Sequence, residues 1–536
     1  MIELIAHNLA PIMFASLVVF LLLGYPVAFS LGANGLLFFL LAVELAPYSQ
    51  SISLDWPLLG LTAGRVLDVM RNETLLAIPF FTLMGIVLEK SGMAEDLLDT
   101  AGQLFGPIRG GLAYSVILVG ALLAATTGVV AASVIAMGLI SMPIMLRYGY
   151  DRSLAAGVIT ASGTLAQIIP PSLVLIVLAD QLGVSVGPMY AGAVLPGMML
   201  VGLFCLYIFA VSILRPSHVP ALPLEARTLG SGAGSLFFTL FASVAIGAAC
   251  WWLLRDRITQ GVGIWSAAIA ALAAYGAALT DQRMRLGLLS RLAQQVIIVL
   301  IPPLALIFLV LGTIFLGVAT ATEGGAMGAA GALFLAWFKD RLPYTTLSAA
   351  LDSTTRLACF VMFILIGSRV FSLTFYGVNG HVWVEELFTG LPGGEWGFLI
   401  AVNALVFVLG CFIDFFEIAF IVIPLLAPVA QKFGIDLVWF GIIIGMNMQT
   451  SFLTPPFGFA LFYMRSVAPS GPWVDKPTGR TMAGVTTTQI YRGGVAFIIL
   501  QLIMVAVVIL FPWLSIGDGE KKIDTDTIEI ELPSLD

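Results

Sequence analysis

The sequence predicts an all-α polytopic membrane protein built from two related halves. Of its 536 residues, 60% are hydrophobic and only 10% are charged, whereas soluble domains carry about a quarter charged residues. Two apolar stretches contain residues that interrupt a helix, around Pro170-Pro171 and Pro455-Pro456. Broken membrane helices of this kind carry the substrate and ion sites of many secondary transporters. The two stretches also stand in register, which indicates an internal repeat.

The register is a constant offset in residue number. The proline pairs are related by an offset of 285, and the same offset relates three further pairs, Pro143 with Pro428, Gly149 with Gly434, and Asp151 with Asp436. A fixed offset that keeps helix breakers and a charged turn aligned over about thirty residues indicates duplication. A weaker match at an offset of 293 relates small residues, such as Gly24 and Gly35 to Gly317 and Gly328.

Two further apolar stretches, residues 111–146 and 398–427, are each interrupted in the middle. Each half is shorter than the ~20 residues that a membrane-spanning helix needs. We therefore predict two re-entrant hairpins, with the first tip at Thr126, Thr127 and Gly128 and the second at residues 410–414. Because these tips share the offset of the proline pairs, we expect them to face both broken helices across one central cavity.

The tips and the breaks are the candidate functional sites. Hard cations such as Na⁺ prefer oxygen ligands, and we predict Na⁺ ligands at Thr126, Thr127, Ser162, Gly163, Thr164, Gly410, Asp414, Gln449, Thr450, Ser451 and Thr454. The N-terminus of a half-helix favours a carboxylate. We predict substrate contacts at Thr127, Gly128, Ser162, Pro170, Ser172, Asn447 and Pro455. A plain proline kink is the alternative explanation of each break.

Charged residues inside apolar segments need a partner. Asp414 and Glu417 lie in an apolar span, where a charge costs about 2.5–3.5 kcal/mol on insertion scales. A bound Na⁺, an arginine such as Arg369, or backbone N–H groups must offset this cost. Asp414 is therefore either an ion ligand or a structural helix cap. Glu323 follows Thr320 by three residues and is expected to cap a helix.

Several function classes are disfavoured by what the sequence lacks. It has no Walker A lysine motif and no matched nucleophile and base, so we expect neither an ATPase nor another enzyme. The four cysteines and three histidines are scattered, so we expect no zinc or iron site and no cofactor. No basic surface suggests a nucleic-acid partner. A stand-alone anion channel and an unrelated ion-coupled exchanger stay open as alternatives.

The predicted organisation has four parts. Residues 1–215 form a first half with scaffold helices, a hairpin and a broken helix, and residues 295–514 form the second half with a final helix. Residues 216–294 are a linker with an inserted helix pair that has no counterpart at either offset. Residues 515–536 are an acidic tail. The start lacks a basic segment, so we expect no cleaved signal peptide.

Several motifs together resemble those of one transporter family. They include Gly24-Tyr25-Pro26-Val27-Ala28-Phe29, Ile168-Ile169-Pro170-Pro171-Ser172, Ala321-Thr322-Glu323 and Leu453-Thr454-Pro455-Pro456-Phe457-Gly458. Over most of its length the chain resembles the large membrane subunit of tripartite ATP-independent periplasmic (TRAP) transporters. Any one motif alone is weak, and the set is specific.

The resemblance implies a function and its partners. It implies an inverted-repeat, elevator-type importer of small organic carboxylates, a multi-pass protein of the bacterial inner membrane surrounded by lipid, with Na⁺ as the coupling ion. It also implies a small four-helix membrane subunit and a periplasmic substrate-binding protein. No fused small subunit is expected. The inserted helix pair resembles the branch that takes keto acids, lactate and chlorinated aromatic acids.

Overall fold

Long apolar helices dominate the fold. The computed structural model describes residues 2–230, 232–255, 262–475 and 477–516, without the side chains of Ile2, Thr126, Thr127 and Ala233. Within these ranges, nine helices are long and apolar enough to cross a membrane, or up to eleven if each of two bent helix pairs counts as one span. The prediction of an all-α polytopic membrane protein is therefore confirmed. The acidic tail lies outside the described residues from position 517 onward.

The first half contains twelve helices. They are α1 (Ile2–His7), α2 (Leu9–Leu22), α3 (Val27–Leu45), α4 (Trp56–Leu59), α5 (Leu61–Met70), α6 (Glu73–Lys90), α7 (Met93–Phe105), α8 (Gly111–Thr127), α9 (Val130–Arg147), α10 (Arg152–Thr164), α11 (Leu173–Leu182) and α12 (Val186–Leu214). Two helices follow between the halves, α13 (Ala233–Leu254) and α14 (Val262–Met284). They pack on each other and on the start of the next helix through Leu236, Ala278 and Leu292.

The second half follows α14. Its helices are α15 (Arg291–Phe315), α16 (Ala321–Phe338), α17 (Tyr344–Gly377), α18 (Gly380–Thr389), α19 (Gly394–Gly410), α20 (Phe415–Glu417), α21 (Ile423–Lys432), α22 (Leu437–Ser451), α23 (Phe459–Val467), α24 (Thr487–Leu510) and α25 (Trp513–Ile516). A π-helical turn, Ile418–Val422, joins α20 to α21. Two antiparallel strands of two residues each, β1 (Trp473–Val474) and β2 (Thr481–Met482), lie between α23 and α24.

The duplication extends to individual hydrogen bonds. Asp151 caps α10 by accepting a hydrogen bond from the backbone N–H of Leu154 at 2.9 Å. Asp436 caps α22 in the same way, through the N–H of Trp439 at 2.8 Å. Both the caps and their donors are related by the offset of the proline pairs, as the sequence predicts. Since a cap fixes where a helix begins, both broken helices start at equivalent positions.

The weaker repeat at offset 293 relates α3 to α16, and small residues bring each helix close to the other half. A Cβ atom at Gly35 of α3 would lie 2.9 Å from the Cα of Phe371 in α17. A Cβ atom at Gly328 of α16 would lie 2.6 Å from the sulfur of Met84 in α6. Such close approach is typical of small residues at helix interfaces in membranes. The two halves therefore interlock through α3 with α17 and α16 with α6.

Three local features differ from the sequence prediction. The hydropathy of the sequence predicts a membrane span from Thr355 to Tyr376, but the helix that contains it, α17, begins at Tyr344. The added turns, residues 344–354, contain Asp352, which forms an ion pair with Arg356 one turn later. The short helix α18 and the strand pair were not predicted. Thr320 and Glu323 form the expected capping box at the start of α16.

Candidate substrate and ion site

The first hairpin tip lies against the first broken helix. Helix α8 ends at Thr127 and α9 begins at Val130, so the tip falls where the sequence predicts it. Gly128 has a positive φ of 60°, a conformation that favours glycine. A Cβ atom there would lie 2.9 Å from the Cγ atom of Leu173 and 3.2 Å from its backbone nitrogen. Tip 1, residues 126–129, therefore contacts the start of α11, just after Pro170-Pro171.

The second tip has the equivalent neighbours. Helix α19 ends at Gly410, and a Cβ atom at that residue would lie 2.1 Å from the Oγ atom of Ser451 in α22. The ring of Phe412 is 5.9 Å from that of Phe457, which directly follows Pro455-Pro456. Tip 2, residues 410–414, therefore contacts both sides of the second break. Both proline–proline bonds are cis.

Most predicted hydroxyl ligands are buried and donate to their own helix. The Oγ1 atom of Thr450 donates to the carbonyl of Met446 at 3.0 Å, and Ser451 donates to Met448 at 2.8 Å. Thr454 donates to Thr450 at 2.9 Å. These bonds use the hydroxyl protons and leave oxygen lone pairs available, as a cation ligand requires. The Oγ atom of Ser162 is buried and has no hydrogen-bond partner in the described part of the chain.

The two broken helices meet at equivalent residues. The Nε2 atom of Gln449 lies 3.4 Å from the Oγ1 atom of Thr164, and these residues are themselves related by the offset of the repeat. Equivalent positions of two repeats come together only at the axis that relates the repeats. Gln501 of α24 also donates to Thr164, at 3.1 Å. Gln501 was not predicted, although a single amide within the apolar segment 495–514 was a usable signal.

Two predicted substrate residues have structural partners. The amide of Asn447 donates to the backbone and side-chain oxygens of Asn403, at 2.7 and 3.0 Å. Ser172 precedes α11 and donates its hydroxyl to the carbonyl of Gln167 at 2.9 Å. The side-chain amide of Gln167 is fully buried and without a partner among the described residues. Gln167 is thus a polar group beside the first break that the sequence prediction omitted.

Asp414 and Glu417 cap the helix that follows tip 2. The Oδ1 atom of Asp414 accepts a hydrogen bond from the N–H of Phe415 at 2.8 Å, and Glu417 accepts one from the N–H of Asp414 at 3.2 Å. Arg369, named as a possible partner, is exposed, and the described chain contains no ion pair between it and either acid. Backbone N–H groups therefore supply the partner that Asp414 needs. This arrangement leaves a role in ion binding open.

The ends of the helices give the site its polarity. A helix carries about half a positive charge at its N-terminus and half a negative charge at its C-terminus. At tip 1, α9 and α11 begin without a side-chain cap. At tip 2, the carboxylates of Asp414 and Glu417 already occupy the equivalent helix start. An anion is therefore favoured at tip 1, and a cation at the C-terminal ends of α10 and α22.

A cavity of about 390 Å³ borders tip 2. Its walls come from the break between α2 and α3, from α17 and from tip 2, and include Tyr25, Phe360, Asp414 and Glu417. Among the residues that the structure describes, none of tip 1 and neither proline pair lines this cavity. The expected single cavity shared by both tips is thus not this one. Each tip instead contacts the broken helix of its own half.

Comparison with known proteins gives the family context of this geometry. Residues 14–514 match the family described as "Tripartite ATP-independent periplasmic transporter, DctM component". The C4-dicarboxylate TRAP transporter large permease protein DctM of Pseudomonas aeruginosa is 30% identical over 460 residues, covering 85% of this chain and 88% of its own length. The sialic acid TRAP transporter permease protein SiaT of Haemophilus influenzae is 22% identical over 501 residues, 92% of this chain and 65% of its own length.

The fold is also similar to that of a solved transporter. The YdaH transporter of Alcanivorax borkumensis matches with a TM-score of 0.50 over 91% of this chain and 98% of its own, at 14% identity. The isethionate TRAP transporter permease protein DctMQ of Oleidesulfovibrio alaskensis is 24% identical over 463 residues, 85% of this chain and 60% of its own length. These relatives are named as transporters or permeases.

Proposed function

Because the chain belongs to the DctM component family of tripartite ATP-independent periplasmic transporters, we propose that it imports small organic carboxylates in symport with Na⁺. It is a large membrane permease subunit and not an enzyme. In this proposal it resides in the bacterial inner membrane and works with a small four-helix membrane subunit and a periplasmic substrate-binding protein. The hairpins and broken helices move together past the interlocked scaffold, as in an elevator. No cofactor is required besides the coupling ion.

The opposite polarity of the helix ends is the observation that best supports this proposal. The substrate carboxylate binds at tip 1, where the N-termini of α9 and α11 carry no hydrogen bond from the side chain of their N-cap residue. Gln167 adds a buried amide without a partner in the described chain, beside Ser172. Na⁺ binds at the oxygen-rich ends of α10 and α22. Binding one anion with one or more cations lowers the charge that must cross the membrane.

Asp414 has a second role in this proposal. Its Oδ1 atom caps α20, while the carboxylate also lines the cavity beside tip 2. The carboxylate there attracts Na⁺ and repels the substrate, which directs the substrate to tip 1. The proposed substrates among the carboxylates are keto acids, lactate and chlorinated aromatic acids. This choice rests on the inserted helix pair, α13 and α14.

Uptake into proteoliposomes tests the proposal. The chain is reconstituted with the small subunit, and a radiolabelled carboxylate is presented bound to its periplasmic protein. We expect accumulation with an inward Na⁺ gradient and little accumulation with an equal K⁺ gradient. The variant Gln167→Leu should raise the substrate concentration at half-maximal rate. Equal uptake without Na⁺ or without the binding protein would refute the coupling and the partner, respectively.

A further inference from the structure

The final long helix contributes a polar residue to the axis between the repeats. Thr164 donates its hydroxyl proton to the carbonyl of Ala161 at 2.8 Å. The same oxygen accepts hydrogen bonds from the amides of Gln449 and Gln501, at 3.4 and 3.1 Å. Both lone pairs of this hydroxyl are therefore used. Thr164 orients the two amides, and their oxygens must find partners elsewhere.

Those two amide oxygens have none in the described part of the chain. The Oε1 atoms of Gln449 and Gln501 are buried and accept no hydrogen bond, and both residues have 0% exposure. A buried acceptor without a partner is unfavourable, and in native proteins it commonly marks a bound ion or water. Both oxygens belong to side chains whose amide nitrogens are held by the same hydroxyl, so both lie near Thr164, and neither has a donor among the described residues.

The backbone around this point has the same electrostatic sign. Helix α10 ends at Thr164, and α22 ends at Ser451, two residues after Gln449. The C-terminal ends of helices carry partial negative charge on unpaired carbonyl groups. The amide oxygens and the helix ends therefore both favour a positive charge. An anion would be repelled by both.

We propose that Gln449 and Gln501 provide oxygen ligands to a Na⁺ site on the internal axis, with Thr164 as the positioning residue. This inference rests on the proposed Na⁺ coupling and extends it to α24, which carries no predicted ion ligand. The site joins both halves, because each broken helix supplies one residue. Na⁺ held there stabilises the contact between the two breaks, so ion binding at the axis affects both halves at once.

Na⁺-dependent thermal stability tests the site without relying on transport. The purified chain in lipid nanodiscs is titrated with NaCl against choline chloride, and the midpoint of thermal unfolding is followed. Gln501→Leu removes the oxygen and keeps a similar volume. The variant loses the contact between the amide oxygen and Na⁺, which should be comparable in strength to a hydrogen bond to a charged group. The Na⁺ concentration that gives half of the maximal stabilisation should therefore rise by roughly tenfold or more. Met504→Leu, at a fully buried position one turn away, is the matched control and should leave it unchanged.

The outcomes separate this inference from the proposed function. A wild-type chain insensitive to Na⁺ would argue against coupling altogether. If Na⁺ stabilises the wild type and the half-effect concentration is the same in Gln501→Leu, the axial site alone is overturned. The two amide oxygens would then be hydrogen-bonded to buried water. If the leucine variant does not fold, Gln501→Glu decides, since a carboxylate should lower the half-effect concentration at pH 8. An unchanged value in that variant would likewise overturn the site.

Discussion

Replacing Gly493 by alanine should force α24 away from the first broken helix. A Cβ atom at Gly493 would lie 1.9 Å from the carbonyl oxygen of Ser153 in α10, whereas real Cβ atoms essentially never approach another heavy atom within 3.0 Å. The atoms that the added Cβ atom meets are all backbone atoms of α10, so a rotamer change cannot relieve the clash. Overpacking of this kind costs about 1–3 kcal/mol, and we expect the upper end of that range.

The thermal midpoint of the purified Gly493→Ala protein should therefore fall by roughly 3 °C, because the entropy of unfolding grows with chain length and is roughly 1.1 kcal/mol per kelvin for 536 residues. Because Gln501 lies on the same helix and contacts Thr164 at 3.1 Å, the variant should also need more Na⁺ for stabilisation. Gly202→Ala on α12 is the control, because nothing lies within 4 Å of its added Cβ atom, and a glycine-to-alanine change inside a helix stabilises by about 0.5–1 kcal/mol. A wild-type midpoint in Gly493→Ala would refute the close packing of α10 and α24.

Changes at three further positions probe the tips and their supports. Asp475→Asn removes the charge that accepts two hydrogen bonds from Arg147 and should destabilise by about 1.5–3 kcal/mol at neutral pH. The guanidinium of Arg147 lowers the pKa of Asp475 from the ordinary value of 3.8. The higher stability of the wild type should therefore be fully present above pH 3.8 and be lost as the pH falls through the lowered pKa. Thermal scans of both proteins at a series of pH values measure this. Asp414→Asn keeps an N-cap and should keep the thermal midpoint while weakening Na⁺ dependence of uptake, whereas Asp414→Ala should lose about 1 kcal/mol of stability as well. Gly128→Ala strains a left-handed residue and crowds Leu173, so uptake should fall at least roughly tenfold with the protein still folded by size-exclusion chromatography.

Most of the architecture could be predicted because its signals are local. Proline pairs and glycine-containing interruptions fix where helices stop, and the constant offset transfers each stop from one half to the other. The capping residues Asp151 and Asp436 mark the starts of both broken helices in the same way. Hydropathy, by contrast, identifies apolar segments of the chain but not the residues at which helices begin and end. Hydropathy therefore does not predict the first turns of α17, where Asp352 pairs with Arg356 four residues later.

The site was predicted less completely, because its contacts are long-range. The repeat makes Thr164 and Gln449 equivalent, but it does not say that they are in contact. They are in contact because the axis that relates the halves passes between them, and the position of this axis is determined by helix packing. Gln501 has no counterpart in the repeated motifs, so the offset could not identify it. The strand pair depends on Asp475, whose partner Arg147 is far earlier in the chain. Arg369 was a reasonable partner for Asp414, but backbone N–H groups serve instead.

The two hairpins occupy equivalent positions in the repeat, but different ion pairs hold the ends of their second helices. Arg147 and Lys432 occupy equivalent positions at the ends of α9 and α21, related by the offset of the repeat. Arg147 binds the buried Asp475 in the loop before α24, while Lys432 pairs with the half-exposed Glu385 of α18. An exposed ion pair contributes about 0–1 kcal/mol and weakens with salt, whereas loss of one partner of a buried pair is far more destabilising. Hairpin 1 is therefore anchored to the loop beside the helix that carries Gln501, and hairpin 2 is held to its connecting helix by a weaker contact.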